Sequence, residues 1–262
     1  MGKFTYCENP FVKNLMIRKV SAAYQIDLSD ALEPDVAAYR SFNEFFTRPL
    51  KPEARPIASG SRSIASPADG FLSQKGPIQK GSIIQAKGFD YSVDDLLGGD
   101  AERARPFLGG SFATIYLSPR DYHRLHMPLK GTLKEMIHVP GRLFSVNDAT
   151  TRNVPGLFAR NERVVAIFDT EAGPMALILV GAIFVASIET VWHGVVTPPT
   201  QSGIRSFSYD QETIVLEKGA EMGRFNMGST IIALFGTPNV SFDDQITLGS
   251  AVRMGRPIGQ FA

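Results

Sequence analysis

Cysteine and histidine are scarce in this chain, with one Cys and four His among 262 residues. A lone Cys7 forms no intramolecular disulfide and builds no cysteine cage for a metal. That usage fits a reducing compartment. An excess of either charge is also missing, since 27 Lys and Arg face 26 Asp and Glu for a net charge of +1. No global field draws the chain to nucleic acid, and none is expected as a partner. Long apolar runs are absent too. The longest, Met175 to Ile188, has 14 residues, whereas a spanning helix needs about 20. Gly181 and Ala182 at its centre predict two buried strands, or a strand pair joined by a turn. No apolar stretch follows Lys3, so the start does not read as a signal peptide. Tyr6 stands where a myristoylation motif needs Ser or Thr. The chain therefore reads as soluble or peripheral rather than spanning. Its 44% apolar and 20% charged residues are a globular mix that excludes wholly disordered, collagen-like and coiled-coil classes. The length fits one large domain or two small ones.

The first 50 residues differ from the rest. Phe11, Leu15, Met16, Val20, Ala23 and Tyr24 recur at helical spacing between Asn9 and Ile26. Lys13, Arg18 and Lys19 lie among them. This amphipathic helix either docks on the body of the protein or lies in a membrane interface with its cations toward anionic headgroups. A short second helix, interrupted by Pro34, is expected over Ala31 to Ala38. Ser41 followed by Glu44 has capping-box spacing for a helix entering Phe42 to Phe46. The Pro-rich stretch from Pro49 to Pro56 marks a boundary. Beyond it, short β-branched or aromatic runs are punctuated by Gly and Pro: Phe112 to Leu117, Val164 to Phe168, Ala176 to Val180, Val185 to Ile188 and Thr230 to Phe235. Asp94 to Leu97 reads as a helical turn. The expected fold class is α+β, with a helical segment over residues 1–50 and a β-rich domain over 51–262.

Three local features carry candidate chemistry. His123 and His126, two of the four histidines, sit in Asp121-Tyr122-His123-Arg124-Leu125-His126-Met127-Pro128. A histidine titrates near neutral pH and suits general-base work. The same pair also reads as two metal ligands lacking a third, or as two histidines on a polar loop. Ser66-Pro67-Ala68-Asp69-Gly70 is a turn by composition, and it places a carboxylate at a rigid corner where it can orient an imidazole. Gly228-Ser229 immediately precedes a buried-strand pattern. Gly228 tolerates unusual backbone angles and leaves its carbonyl open to the neighbouring hydroxyl.

At these motifs the chain resembles the phosphatidylserine decarboxylase proenzymes of the bacterial membrane-associated type. The resemblance extends through Tyr39-Arg40-Ser41-Phe42-Asn43-Glu44-Phe45-Phe46, Leu117 to Pro128, Val139-Pro140-Gly141, Phe144-Ser145-Val146-Asn147, Asn153-Val154-Pro155, Leu157 to Arg163, Ser187 to Trp192 and Gly219 to Thr230. These stretches keep their order over most of the chain from Tyr39 to about Phe235. One departure is Met227, where the family usually has Leu before Gly-Ser-Thr. The two side chains are close in volume and apolarity, so little effect is expected.

The resemblance implies a self-processing enzyme of phospholipid biosynthesis. It converts phosphatidylserine to phosphatidylethanolamine and CO2. The Ser229 hydroxyl attacks the Gly228 carbonyl, and elimination from the resulting ester yields a β chain of residues 1–228 and an α chain of residues 229–262. The α chain then begins with a pyruvoyl group derived from Ser229, the electron sink for decarboxylation. The implied base is His126, oriented by Asp69. His123 acts at the decarboxylation stage, and Ser145 is a candidate for holding the lipid phosphate. No metal is required. The implied setting is peripheral attachment to the cytoplasmic side of the cell membrane, with a homodimer as the expected assembly. It also favours the interfacial reading of the first helix, with Lys13, Arg18 and Lys19 as lipid contacts. Other readings of the same residues are a pyruvoyl decarboxylase of another amino-acid-type or headgroup substrate, a metal-dependent hydrolase, and a lipid-binding homologue that does not process.

Overall fold

The computed structural model describes residues 5–86, 88–183, 187–199, 201–226, 230–236 and 240–262. It has a short N-terminal helical segment followed by a β-rich body. Helix α1, Pro10–Tyr24, starts where Asn9 Oδ1 accepts from the backbone N–H of Phe11 and Val12 at 3.1 and 3.3 Å. Pro10 suits the first helical position because it has no N–H to leave orphaned. The helix ends at Gln25, which turns left-handed at φ 52°. Helix α2, Phe42–Phe46, is capped by Ser41 Oγ, which accepts from Glu44 N–H at 3.2 Å. Glu44 reaches back to the N–H of Arg40 rather than to the cap residue itself. The capping-box spacing thus gives its helix, shifted by one residue on the return bond.

The two helices meet through Ile17 of α1 and Phe42, Phe45 and Phe46 of α2, with Tyr39 beside them. All five are buried. Between the helices the expected helix over Ala31 to Ala38 is absent. Ala31 instead bridges Leu50, and Leu32 N–H donates to Pro49 O at 3.0 Å. Pairing with the returning chain satisfies backbone groups that Pro34 would have disrupted in a helix.

The strands that build the site are β1 (Gly70–Pro77), β2 (Ser111–Tyr116), β3 (Arg124–His126), β4 (Gly131–Val139), β5 (Arg163–Thr170), β6 (Gly173–Val180), β7 (Ile188–Thr190), β8 (Glu221–Phe225) and β9 (Thr230–Phe235). The large antiparallel sheet runs β4-β5-β6-β9-β2-β1 through its centre. β9 lies between β6 and β2, so Thr230 faces both Val180 and Tyr116. The sheet is covered on both faces. Ile231, Ala233 and Phe235 enter one core cluster, and Ile232 and Leu234 enter the other. Burial on both faces is why these strands read as continuous apolar runs rather than alternating ones. A smaller sheet pairs β7 with β8 and β8 with β3. The run from Met175 to Ile188 therefore contributes to two strands in different sheets, with residues 184–186 outside the described ones.

Candidate active site

The turn from Ser66 to Gly70 is fixed by Ser66 Oγ, which donates to Ala68 O at 2.8 Å. Gly70 is required there, because a Cβ would stand 2.3 Å from Tyr116 O. Asp69 is nearly buried at 7% exposure. Arg55 Nε donates to both of its oxygens at 2.9 and 3.1 Å, and Arg55 Nη2 to Oδ2 at 2.5 Å. The N–H of Met254 donates to Oδ1 at 2.8 Å. Arg55 Nη1 also donates to Asp30 at 2.7 Å. One guanidinium therefore joins the N-terminal segment to the Asp69 turn.

His126 ends β3, and its backbone N–H donates to Pro67 O at 2.8 Å. This zips its strand to the Asp69 turn. Its ring does not bond Asp69 directly. Nδ1 lies 2.9 Å from Gly219 O and Nε2 lies 3.0 Å from the Tyr122 hydroxyl. A carbonyl only accepts, so Nδ1 carries the proton, and in the neutral ring Nε2 accepts from Tyr122. Burial holds the His126 pKa below its ordinary value, against the opposing pull of the Gly219 carbonyl and Glu221. The imidazole is thus a neutral base with its lone pair on Nε2.

His123 is fully buried. Its Nδ1 donates to Asp121 O at 2.8 Å, and its ring lies 4.0 Å from that of Phe46. Nε2 is buried and has no hydrogen-bond partner among the described residues. Burial pushes its pKa down to about 3. Its carbonyl accepts from Phe225 N–H at 3.1 Å, which places the His123 backbone against the end of β8. Gly228 and Ser229 lie outside the described residues, as does Met227. Their covalent neighbours Asn226 and Thr230 are both buried.

Ser145 lines a cavity of about 220 Å³ together with Val20, Tyr24, Phe42, Phe46 and Tyr116. Phe46 connects this mostly apolar space to His123. A separate polar cavity of about 250 Å³ opens onto Asp69, Tyr122 and Arg55. His138 and His193 are engaged elsewhere, with Glu162 at 2.9 Å and Tyr209 at 3.4 Å. Among the described residues no group of three or more His, Cys, Asp or Glu is placed to hold a metal.

Sequence reasoning missed Tyr122, Arg55 and the aromatic support from Phe46. Tyr122 and Phe46 stand inside motifs already singled out, so their position was a usable signal. Arg55 lies in the boundary stretch, where nothing in the residue pattern points to Asp69.

A turn-borne carboxylate and a tautomer-fixed histidine on a strand zipped to that turn are chemically suited to proton transfer. The phosphatidylserine decarboxylase family model matches residues 42–260. Proteins named phosphatidylserine decarboxylase proenzyme are similar over nearly the whole length. That of Bordetella pertussis is 58% identical over 261 residues, covering 98% of this chain and 88% of its own. That of Pseudomonas fluorescens is 58% identical, covering 98% and 90%, and that of Pseudomonas aeruginosa is 58% identical, covering 95% and 87%. The chain belongs to the phosphatidylserine decarboxylase family.

Proposed function

We propose that this chain is a proenzyme that cuts itself between Gly228 and Ser229 and then decarboxylates phosphatidylserine to phosphatidylethanolamine. The observation that carries the reading is the His126 ring. Its proton is held on Nδ1 by the Gly219 carbonyl, and its Nε2 lone pair sits on the strand zipped to the Asp69 turn. A serine hydroxyl is a weak nucleophile until a base takes its proton, and His126 Nε2 is assigned that task. The Ser229 oxygen bonds to the Gly228 carbonyl carbon while the Gly228–Ser229 amide bond breaks, leaving an ester and a free Ser229 amine. Asp69, charge-paired with Arg55, acts on His126 through the field and the shared turn rather than through a direct hydrogen bond.

The pyruvoyl group is assigned to residue 229. His123 Nε2 and Thr230 Oγ1 are buried polar atoms without partners among the described residues; the first belongs to the residue whose carbonyl accepts from Phe225 N–H, and the second to the residue that follows 229 in the chain. Such atoms are uncommon in native interiors and mark places where a further group is received. The group would supply a sink for the electron pair of the bond between the α-carbon and the departing carboxylate. His123 is assigned to that stage as a substrate contact, with its ring proton held on Nδ1 by the Asp121 carbonyl and its Nε2 lone pair free to accept. The Phe46 ring packs against the His123 ring at 4.0 Å, and the full burial of His123 keeps water away. Ser145, at the edge of the 220 Å³ cavity, is assigned to the lipid phosphate.

The lipid is met through α1. Its Phe11 and Leu15 are 78% and 45% exposed, and Arg18 and Lys19 are exposed beside them. Lys13 is withdrawn from this role, because its ammonium is buried on Ala37 O at 2.9 Å. No described helix is long and apolar enough to cross a membrane. Peripheral attachment at the cytoplasmic face, and a homodimer, belong to the same proposal. The test compares CO2 release from phosphatidylserine in vesicles with release from soluble serine. Release from vesicles alone is expected, and release from serine with none from vesicles would replace the lipid substrate.

A further inference from the structure

Segment 227–229 is entered and left through two anchored residues. On the far side, Thr230 is held in β9 between Tyr116 and Val180. On the near side stands Asn226, 2% exposed. Its backbone N–H donates to Ser187 O at 2.9 Å, and its Nδ2 donates to Ser187 Oγ at 2.5 Å. Its Oδ1 accepts from Asn43 Nδ2 at 3.1 Å, across 183 residues of sequence. Asn43 belongs to α2 and is 8% exposed, with Phe42, Phe45 and Phe46 as its helical companions.

A buried amide is costly unless its hydrogen bonds are made. Asn43 Oδ1 is buried and has no partner among the described residues. An apolar side chain would be buried there without that penalty, so burial alone does not explain the residue. What the amide does is grip Asn226. In a low-dielectric interior a connected polar chain fixes one geometry more firmly than apolar contact does. The gripped residue is the last described one before the reacting segment.

We infer that Asn43, Asn226 and Ser187 are positioning residues for self-cleavage. They fix the amino side of the segment, as β9 fixes its carboxyl side. The inference rests on the proposed cut at Gly228–Ser229. In the shift, a bond forms from Ser229 Oγ to the Gly228 carbonyl carbon, the Gly228–Ser229 amide bond breaks, and the hydroxyl proton ends on the released amine. Such a step needs the oxygen held about 3–3.5 Å from the carbon, and a misplacement of about 1 Å costs on the order of a hundredfold in rate. The N-terminal segment is therefore part of the processing machinery, through α2, besides any part it plays at a membrane.

The test uses the full chain made by cell-free translation, with the two products followed over time by denaturing mass spectrometry. Asn43→Ala and Ser187→Ala should each slow appearance of the products at least tenfold. Hydroxylamine, which cuts the ester, should release correspondingly less product from both, because the shift itself is slowed. Each substitution is also combined with Ser229→Ala, where processing no longer affects the reading, and its thermal midpoint is measured. A folded double variant paired with slow cleavage supports positioning. Wild-type cleavage in Asn43→Ala overturns it, as does slowing that merely follows loss of the fold in that background. If Asn43→Ala does not fold, Ser187→Ala, which removes a single hydroxyl, decides the matter. Products appearing from Ser229→Ala alone would instead sink the assigned cleavage site, a failure independent of Asn43.

Discussion

The hydroxyl of Tyr122 lies 3.0 Å from Nε2 of His126, so the nitrogen assigned as base is already engaged by a neutral donor. Donation to the lone pair favours the uncharged ring. It adds to the burial that already lowers the His126 pKa. Tyr122→Phe removes this donation and keeps the ring. The His126 pKa should then rise, and the limb on which self-cleavage accelerates with pH should move to higher pH. A pH series of cleavage rates checks this, and an unmoved limb would separate Tyr122 from the base.

Arg55 and Asp69 form an ion pair whose side chains are 9% and 10% exposed. Removing one partner of a buried pair typically costs about 3–5 kcal/mol. Arg55→Ala should lower stability by about that amount in chemical denaturation of a Ser229→Ala background, and should impair maturation. Arg55→Lys should not restore it, since one ammonium cannot reproduce the two-nitrogen grip on Asp69 while also holding Asp30.

His123 is neutral when folded, with its pKa down at about 3 against about 6.5 when unfolded. Its contribution to stability is therefore complete above pH 6.5. It is lost progressively as pH falls toward 3, because only the unfolded chain takes up the proton in that window. His123→Gln should flatten the acid side of the stability curve, measured by denaturant midpoints between pH 7 and 4. His123→Ala should still yield two chains but lose decarboxylation, and a fully active two-chain product would remove His123 from the reaction.

Two faces of α1 should respond differently. Leu15→Ser and Phe11→Ser should weaken binding to anionic vesicles with little effect on folding. Arg18→Ala and Lys19→Ala should each cost about 1 kcal/mol of that binding, and less in high salt. Ile17→Ala should cost about 2–5 kcal/mol of stability instead, as a buried aliphatic truncation. Vesicle sedimentation and thermal unfolding, run in parallel, separate the two effects.

The strand at Thr230–Phe235 was legible because six successive buried residues, apolar after the first, are bounded by turn signals. Helix α2 was legible from Ser41 and Glu44. The stretch around Ala31 departs from its helical pattern because Ala31 bridges Leu50 and Leu32 N–H bonds to Pro49 O, tertiary contacts that outweigh local pattern. His123, His126 and Asp69 stood out by type and motif. Their partners did not: Arg55 reaches Asp69 over 14 residues, and Asn43 reaches Asn226 over 183. Such pairs depend on the path of the chain, which periodicity does not encode.

Intact mass of the purified protein under denaturing conditions tests the central claim most directly. The account predicts two species, one ending at Gly228 and one beginning with a blocked residue derived from Ser229. A single 28.6 kDa chain that stays whole in the presence of phosphatidylserine vesicles would contradict it.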